Sequence, residues 1–379
     1  MQHFSFKRFF ILVLILAAGA GLGLGVQHYF LSPSQVPREG LSQADETSRV
    51  VVGTVSFSCE GESTFSNNLY PSLMLSFGAV APEFVTCITV RIKHVDVGEK
   101  YQIKVDSHLF ETSLVKTLVA DKEELTLTPS LPWNFSKLRG VTQVRPETVL
   151  ISVISSSGKR AQASFIVTVH PVNEVVSKVY DSDNGQWQDT SICFASYVNE
   201  NHPLINGIIQ DVTSKGKIAR FTGYEFGPKS VQEQMQAIWN TLSERGLNYV
   251  DLATTSSQVS GISSQYVRFI DQSLKDQGAN CVDASILFAS IFRRIGLRPV
   301  LVFVPGHCFV CVYDTEQGGQ LIALETTLLS SASYADAVSA GEKEMTIASQ
   351  TLGQPGYSSI DISLARDSGV QPIEFEPSL

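Results

Sequence analysis

The sequence predicts a multidomain chain: an N-terminal transmembrane helix, an all-β sandwich domain, then an α+β domain. Three observations predict it. An apolar run follows two basic residues near the start, short alternating segments with turn clusters come next, and helical periodicity followed by three strand segments fills the rest. A chain of 379 residues has room for about two domains.

Lys7 and Arg8 precede an unbroken apolar run from Phe9 to Val26, and Tyr29, Phe30 and Leu31 extend it. Residues 9–31 are therefore expected to form a single-pass membrane anchor, with residues 1–8 cytoplasmic and the body exported. A cleaved signal peptide, with Phe9 to Leu16 as its apolar region, is the competing reading. The length of the run favours the anchor. Either reading makes the following domains periplasmic or extracytoplasmic.

Residues 32–49 are polar, carry Pro33, Pro37 and Gly40, and read as a linker. Residues 50–172 hold short alternating runs: Val50–Ser58, Thr86–Lys93, Lys100–Ser107, Leu125–Thr128, Glu147–Ser155 and Ala161–His170. Strands of that length, broken by clusters such as Ser155–Lys159, predict an Ig-like β-sandwich. Nothing in this stretch resembles a catalytic set.

From residue 173 to 345 the pattern predicts an α+β domain. Leu204, Ile205, Ile208, Ile209 and Val212 are spaced for a helix over His202–Lys217. Val231, Met235, Ile238, Trp239 and Leu242 do the same over Ser230–Gly246, with Ser230 and Glu233 placed for a capping box. Gln265–Leu274 is a shorter helical segment. Residues 282–295 are apolar on nearly every side and predict a buried helix that ends at Gly296. Strands are expected over Pro299–Val304, His307–Tyr313 and Gln320–Thr326, joined by Pro305-Gly306 and Gln317-Gly318-Gly319. Residues 346–379 read as a C-terminal extension, an added edge or a loose tail.

The formal charge is −9 and the Lys and Arg residues are scattered, so no nucleic-acid partner is expected. The cysteines, at 59, 87, 193, 281, 308 and 311, lack the paired C-x-x-C spacing of a structural zinc site. No metal and no cofactor is expected. Cys59 and Cys87 could pair in an exported domain, or serve as small buried hydrophobes. Cys308 and Cys311 are spaced C-x-x-C, but in a strand pattern rather than at a helix start, which makes a redox role the weakest reading.

Cys281 immediately precedes the buried helix. The positive end of a helix dipole favours a thiolate, and the free amides of a first turn can hold an oxyanion. His307 opens a strand just after a turn, where its ring can face a cleft and shuttle a proton. Glu325 ends an apolar strand, where a carboxylate must be paired. A bond to His307 would satisfy it and fix the imidazole tautomer. Nucleophile, base and orienting acid thus fall within one compact span as the catalytic set Cys281, His307 and Glu325.

These residues sit in Asn280-Cys281-Val282-Asp283-Ala284, Gly296-Leu297-Arg298-Pro299, Pro305-Gly306-His307-Cys308-Phe309 and Leu324-Glu325-Thr326-Thr327. In order and spacing they resemble the transglutaminase-like superfamily, whose core is papain-like. The chain also resembles a bacterial, membrane-anchored subgroup with a longer pattern. That pattern appears here as Trp187, Tyr197 to Pro203, Ala237-Ile238-Trp239, Arg245 to Tyr249 and Gln265 to Arg268. The resemblance covers roughly residues 180–330.

It implies an acyl-enzyme on Cys281, with His307 as base and Glu325 as orienting acid. The family's third member is usually Asp, and Cys308 replaces a small apolar residue. Gln265 and Gln277 both remain open as oxyanion donors, and Arg268 is placed to pair with Asp283 or with a substrate carboxylate, the structural pair being favoured. The expected function is a membrane-anchored, extracytoplasmic cysteine enzyme acting on amide bonds of peptides or proteins in the cell envelope, with hydrolysis ahead of transamidation. The alternative is a non-catalytic transglutaminase-like binding or scaffold module of the envelope.

Overall fold

The computed structural model describes residues 51–56, 67–77, 89–127, 129, 131–181, 185–250, 259–352, 354 and 356–373. The chain divides into two compact units. The first comprises Met1–Leu69, Glu83–Asn134 and Arg145–Thr168, and the second Tyr70–Pro82, Phe135–Val144 and Val169–Leu379.

The expected fold class needs correction at its first element. Among the described residues no helix is long and apolar enough to cross a membrane. The segment on which the anchor was read, 9–31, lies outside the described residues, as do the linker, Cys59 and Cys87.

In the first unit the strands are β1 (Val51–Ser56), β2 (Asn68–Leu69), β3 (Thr89–Lys93), β4 (Lys100–Ser107), β5 (Leu114–Val119), β6 (Glu124–Leu127), β7 (Arg145–Ser155) and β8 (Arg160–Val169). They form two sheets, of order β1-β3-β6 and β2-β8-β7-β4-β5. Period-two burial places Val90 and Ile92 of β3, Tyr101, Ile103 and Val105 of β4, and Val149, Ile151 and Val153 of β7 inside. β5 escapes the sequence pattern because it is an edge strand, paired only through β4 and exposed along most of its length.

The second unit carries the candidate site. Its helices are α1 (Pro71–Phe77), α2 (Phe135–Arg139), α3 (Pro203–Ser214), α4 (Gly227–Glu244), α5 (Ile270–Asp276), α6 (Cys281–Arg294), α7 (Tyr334–Thr351) and α8 (Ile362–Asp367). Its strands are β9 (Glu174–Asp181), β10 (Gln186–Asp189), β11 (Asn248–Tyr249), β12 (Ile262–Tyr266), β13 (Gly278–Ala279), β14 (Pro299–Val304), β15 (His307–Thr315), β16 (Gly318–Leu324) and β17 (Ser358–Asp361).

The central sheet runs β16-β15-β14-β17, with every pair antiparallel. A tight turn at Pro305-Gly306 pairs Val304 with His307, and the φ of +76° at Gly306 suits a residue without a side chain. On one face, Ser285 of α6 reaches the Cys308 carbonyl, and Ile286, Leu287, Phe288, Ile291 and Phe292 are buried. On the other, Phe309, Cys311, Val300, Val302 and Ala323 pack with Ala348 of α7.

Two helix boundaries differ from expectation. α4 begins at Gly227, not after Ser230, because Pro228 suits a helix's first turn. Ser230 lies inside that helix and pairs with Thr222 at 3.1 Å. The segment 265–274 is part strand and part helix: β12 pairs with β9 up to Tyr266, and α5 starts only at Ile270.

Candidate active site

α6 begins at Cys281, and its cap is fully made. Asn280 Oδ1 accepts from the Asp283 amide at 2.9 Å, and Asp283 Oδ2 accepts from the Asn280 amide at 3.2 Å. Asp283 also accepts from the Arg268 amide at 2.8 Å and from Arg268 Nη1 at 3.0 Å. Burial raises the Asp283 carboxyl above its ordinary value, and these bonds to Arg268 and Asn280 oppose the shift. Arg268 and Asp283 therefore anchor the helix start. The Cys281 and Val282 amides belong to the first turn of α6, where the helix itself supplies no acceptor.

Cys281 is only partly covered, whereas Cys193, Cys308 and Cys311 are buried. Burial pushes the Cys193 thiol up to about 12 and moves Cys308 and Cys311 upward as well. A redox role for Cys308 and Cys311 fails on the same ground. Three residues apart on a strand they point to opposite faces, and both are free and buried.

His307 opens β15. Its Nε2 lies 2.7 Å from Glu325 Oε2. The imidazole is pushed up to about 12 by its hydrogen bond with Cys281, then by Glu325 and Glu344, with burial opposing. Nε2 is engaged by carboxylates, so Nδ1 is the ring nitrogen left for a further partner. Glu325 is nearly fully buried, at 3% exposure. Burial works against its charge, but hydrogen bonds from His307 and Thr327 outweigh this and hold the carboxyl below its usual value. Its second oxygen, Oε1, accepts from the Thr327 amide at 2.8 Å and from the Thr327 hydroxyl. Both carboxylate oxygens are thus committed as acceptors.

The structure brings Cys281, His307 and Glu325 together and adds a residue that the sequence reading missed. Glu344 Oε2, on α7, lies 3.3 Å from His307 Nε2. That oxygen is buried and has no hydrogen-bond partner. α7 can reach the site because Gly341 lies against the Ala323 backbone, where an added Cβ would sit 2.8 Å from the Ala323 carbonyl carbon. Glu344 follows one turn later on the same face. A signal was present: Ala337, Gly341 and Ala348 form a stripe of small buried residues, and Glu344 is the one carboxylate set at helical spacing within it.

Most of the longer sequence pattern is framework, with Trp187 exposed on β10. His202 caps α3, Trp239 stacks on Phe288 at 5.8 Å, Glu200 pairs with Arg293 at 2.9 Å, and Arg245 holds Asp211 at 2.6 Å. Gln277 gives its amide to the Arg245 carbonyl at 2.9 Å, and Gln265 lies on β12 opposite Val175.

No protein-family model matches the chain, and no curated protein matches it. Among solved structures, red sea bream transglutaminase is similar at a TM-score of 0.20 and 10% identity, over 65% of this chain and 48% of that one. The chain spans about half the length of that protein. So shallow a likeness fixes neither fold nor activity.

Proposed function

We propose that the second unit is a transglutaminase-like cysteine enzyme that cleaves amide bonds of peptides or proteins through an acyl-enzyme. The observation that carries this reading is the His307 imidazole, held at 2.7 Å by the buried Glu325 carboxylate, with the partly exposed Cys281 close enough to raise its proton affinity. Cys281 Sγ attacks the carbonyl carbon, and the first-turn amides of α6 serve the developing oxyanion. His307, carrying the thiol's proton, gives it to the leaving nitrogen as the C–N bond breaks. Water then attacks the thioester, His307 takes its proton, and the C–S bond breaks to return the thiolate and the carboxylic acid. An amine in place of water gives transamidation. We place hydrolysis first, since water needs no dedicated acceptor site.

The test is labelling with a thiol-directed electrophile at neutral pH, mapped by mass spectrometry. Selective modification of Cys281 that is lost in His307→Ala supports the enzyme. Equal, slow labelling of Cys281 with and without His307 would leave a binding module instead.

A further inference from the structure

We propose that His307, Glu325 and Glu344 form a binding site for a zinc-type divalent cation, and that filling it holds the Cys281 site off. Imidazole Nε2 and one oxygen from each carboxylate lie within 4.8 Å of one another. One nitrogen and two oxygens are a donor set suited to zinc and its neighbours. The donors come from β15, the residue after β16, and α7, elements locked together where Gly341 meets Ala323.

Distances decide whether a cation fits. Donors about 2.0–2.2 Å from a tetrahedral zinc are about 3.3–3.5 Å from each other. Glu344 Oε2 already lies 3.3 Å from Nε2, and Glu325 Oε2, at 2.7 Å, needs to retreat by only about 0.6 Å.

Charge points the same way. Two carboxylates converge on one face of a single imidazole in a partly buried place. Glu344 Oε2 is buried without a hydrogen bond, a state that a coordinate bond resolves. The exchange balances without redox: Nε2 releases its proton to water, and its lone pair binds the cation. The His307 and Glu344 side chains keep 23% and 36% exposure, so the fourth position opens to water. The effect on the thiol rests on the functional reading above, whereas the binding site does not. A cation on Nε2 displaces Glu325 Oε2 from the ring nitrogen it orients, so His307 is no longer held as it is beside Cys281 in the metal-free site.

The experiment is calorimetric titration of the full chain with zinc chloride alone at pH 7, in two buffers of different ionisation heat. Expected are one zinc per chain with release of a proton, binding retained in Cys281→Ala, and at least tenfold weaker binding in Glu344→Gln and His307→Ala. Glu342→Gln, an exposed neighbour on α7, serves as the control and binds as the parent does. Circular dichroism confirms that each variant is folded. Absence of binding, binding unchanged in Glu344→Gln, or binding lost in Cys281→Ala each overturns the site. A second arm follows alkylation of Cys281 with zinc present. Slowing in the parent but not in Glu344→Gln supports the switch. Zinc bound as expected with no slowing overturns the switch and leaves the binding site standing.

Discussion

Glu325→Gln is the sharpest probe of the candidate site, because the structure uses both carboxylate oxygens as acceptors. Oε2 takes the His307 proton at 2.7 Å, while Oε1 takes the Thr327 amide at 2.8 Å and the Thr327 hydroxyl. A glutamine has one acceptor and must fail one of them. If its oxygen stays with Thr327, its amide faces Nε2, which must then accept. The ring keeps its remaining proton on Nδ1 and can no longer take one from the thiol. If its oxygen turns to the ring, the Thr327 amide loses its partner. Coulomb attraction across 2.7 Å at an effective dielectric of 20 is about 6 kcal/mol, an upper limit. The measured value of a hydrogen bond to a charged group is smaller, about 1.5–3 kcal/mol, and Glu344 remains as a second anion. The expected result is a 10- to 100-fold slower alkylation of Cys281 at pH 7, roughly the equivalent of that range. Glu325→Gln with Glu344→Gln should be slower again. The assay is the rate of iodoacetamide modification from pH 5 to 9, with peptide mapping. A single variant indistinguishable from the parent across that range would refute the assignment of Glu325 as the group that orients and charges His307.

Cys281→Ser should abolish acyl-enzyme formation while thermal unfolding stays within about 1 kcal/mol of the parent, read by mass spectrometry and by calorimetry. Asn280→Ala removes the cap of α6 and should cost about 1–2 kcal/mol in urea unfolding, with slower Cys281 labelling as the helix start frays. Gly341→Ala places a Cβ 2.8 Å from the Ala323 carbonyl carbon, so α7 must shift, at a cost of about 1–3 kcal/mol by denaturant titration and with the Glu344–His307 contact loosened. The folded environment pushes His307 up to about 12 from its ordinary 6.5, so its stabilisation is complete below pH 6.5 and is lost as pH rises through the folded value. The stability difference between the parent and His307→Gln should therefore shrink between pH 7 and pH 10, by up to about 1.4 kcal/mol per pH unit, in urea titrations at each pH.

What the sequence revealed and what it hid follow from where each signal is encoded. α6 was legible because its residues are apolar on almost every side, and a run of that kind can only be interior helix. The β14–β15 hairpin was legible from Pro305-Gly306 between β-branched runs. The start of α4 was not, since Gly227-Pro228 starts the helix one turn before the apolar period begins. α7 was hidden because its buried face, after Tyr334 at its first position, consists of Ala337, Gly341 and Ala348, which carry little hydrophobic signal. Its capping box, Ser333 with Asp336, was the local mark of its start. Glu344 was hidden with it: a charge in an alanine-rich segment reads as solvated surface until the helix is laid on the sheet.

That placement bears on the chemistry. α6 and α7 cover opposite faces of one sheet, and His307 stands at the open end of its second strand, where side chains from both helices reach the same ring. Cys281 approaches from one side and the Glu344 carboxylate from the other, with Glu325 held at the sheet's own edge by the Ala337 carbonyl, which accepts its amide at 3.1 Å. A residue that ends one strand, opens its neighbour or starts a helix is fixed by backbone bonds on one side only, and its side chain is free to point along the element's axis. Cys281, His307 and Glu325 all occupy such end positions. Because α7 sets both the register of Glu325 and the reach of Glu344, the charge on His307 depends on a helix well beyond the residues that resemble a cysteine–histidine–acid site. Changes in how α7 packs on β16 therefore pass to the carboxylates that hold His307.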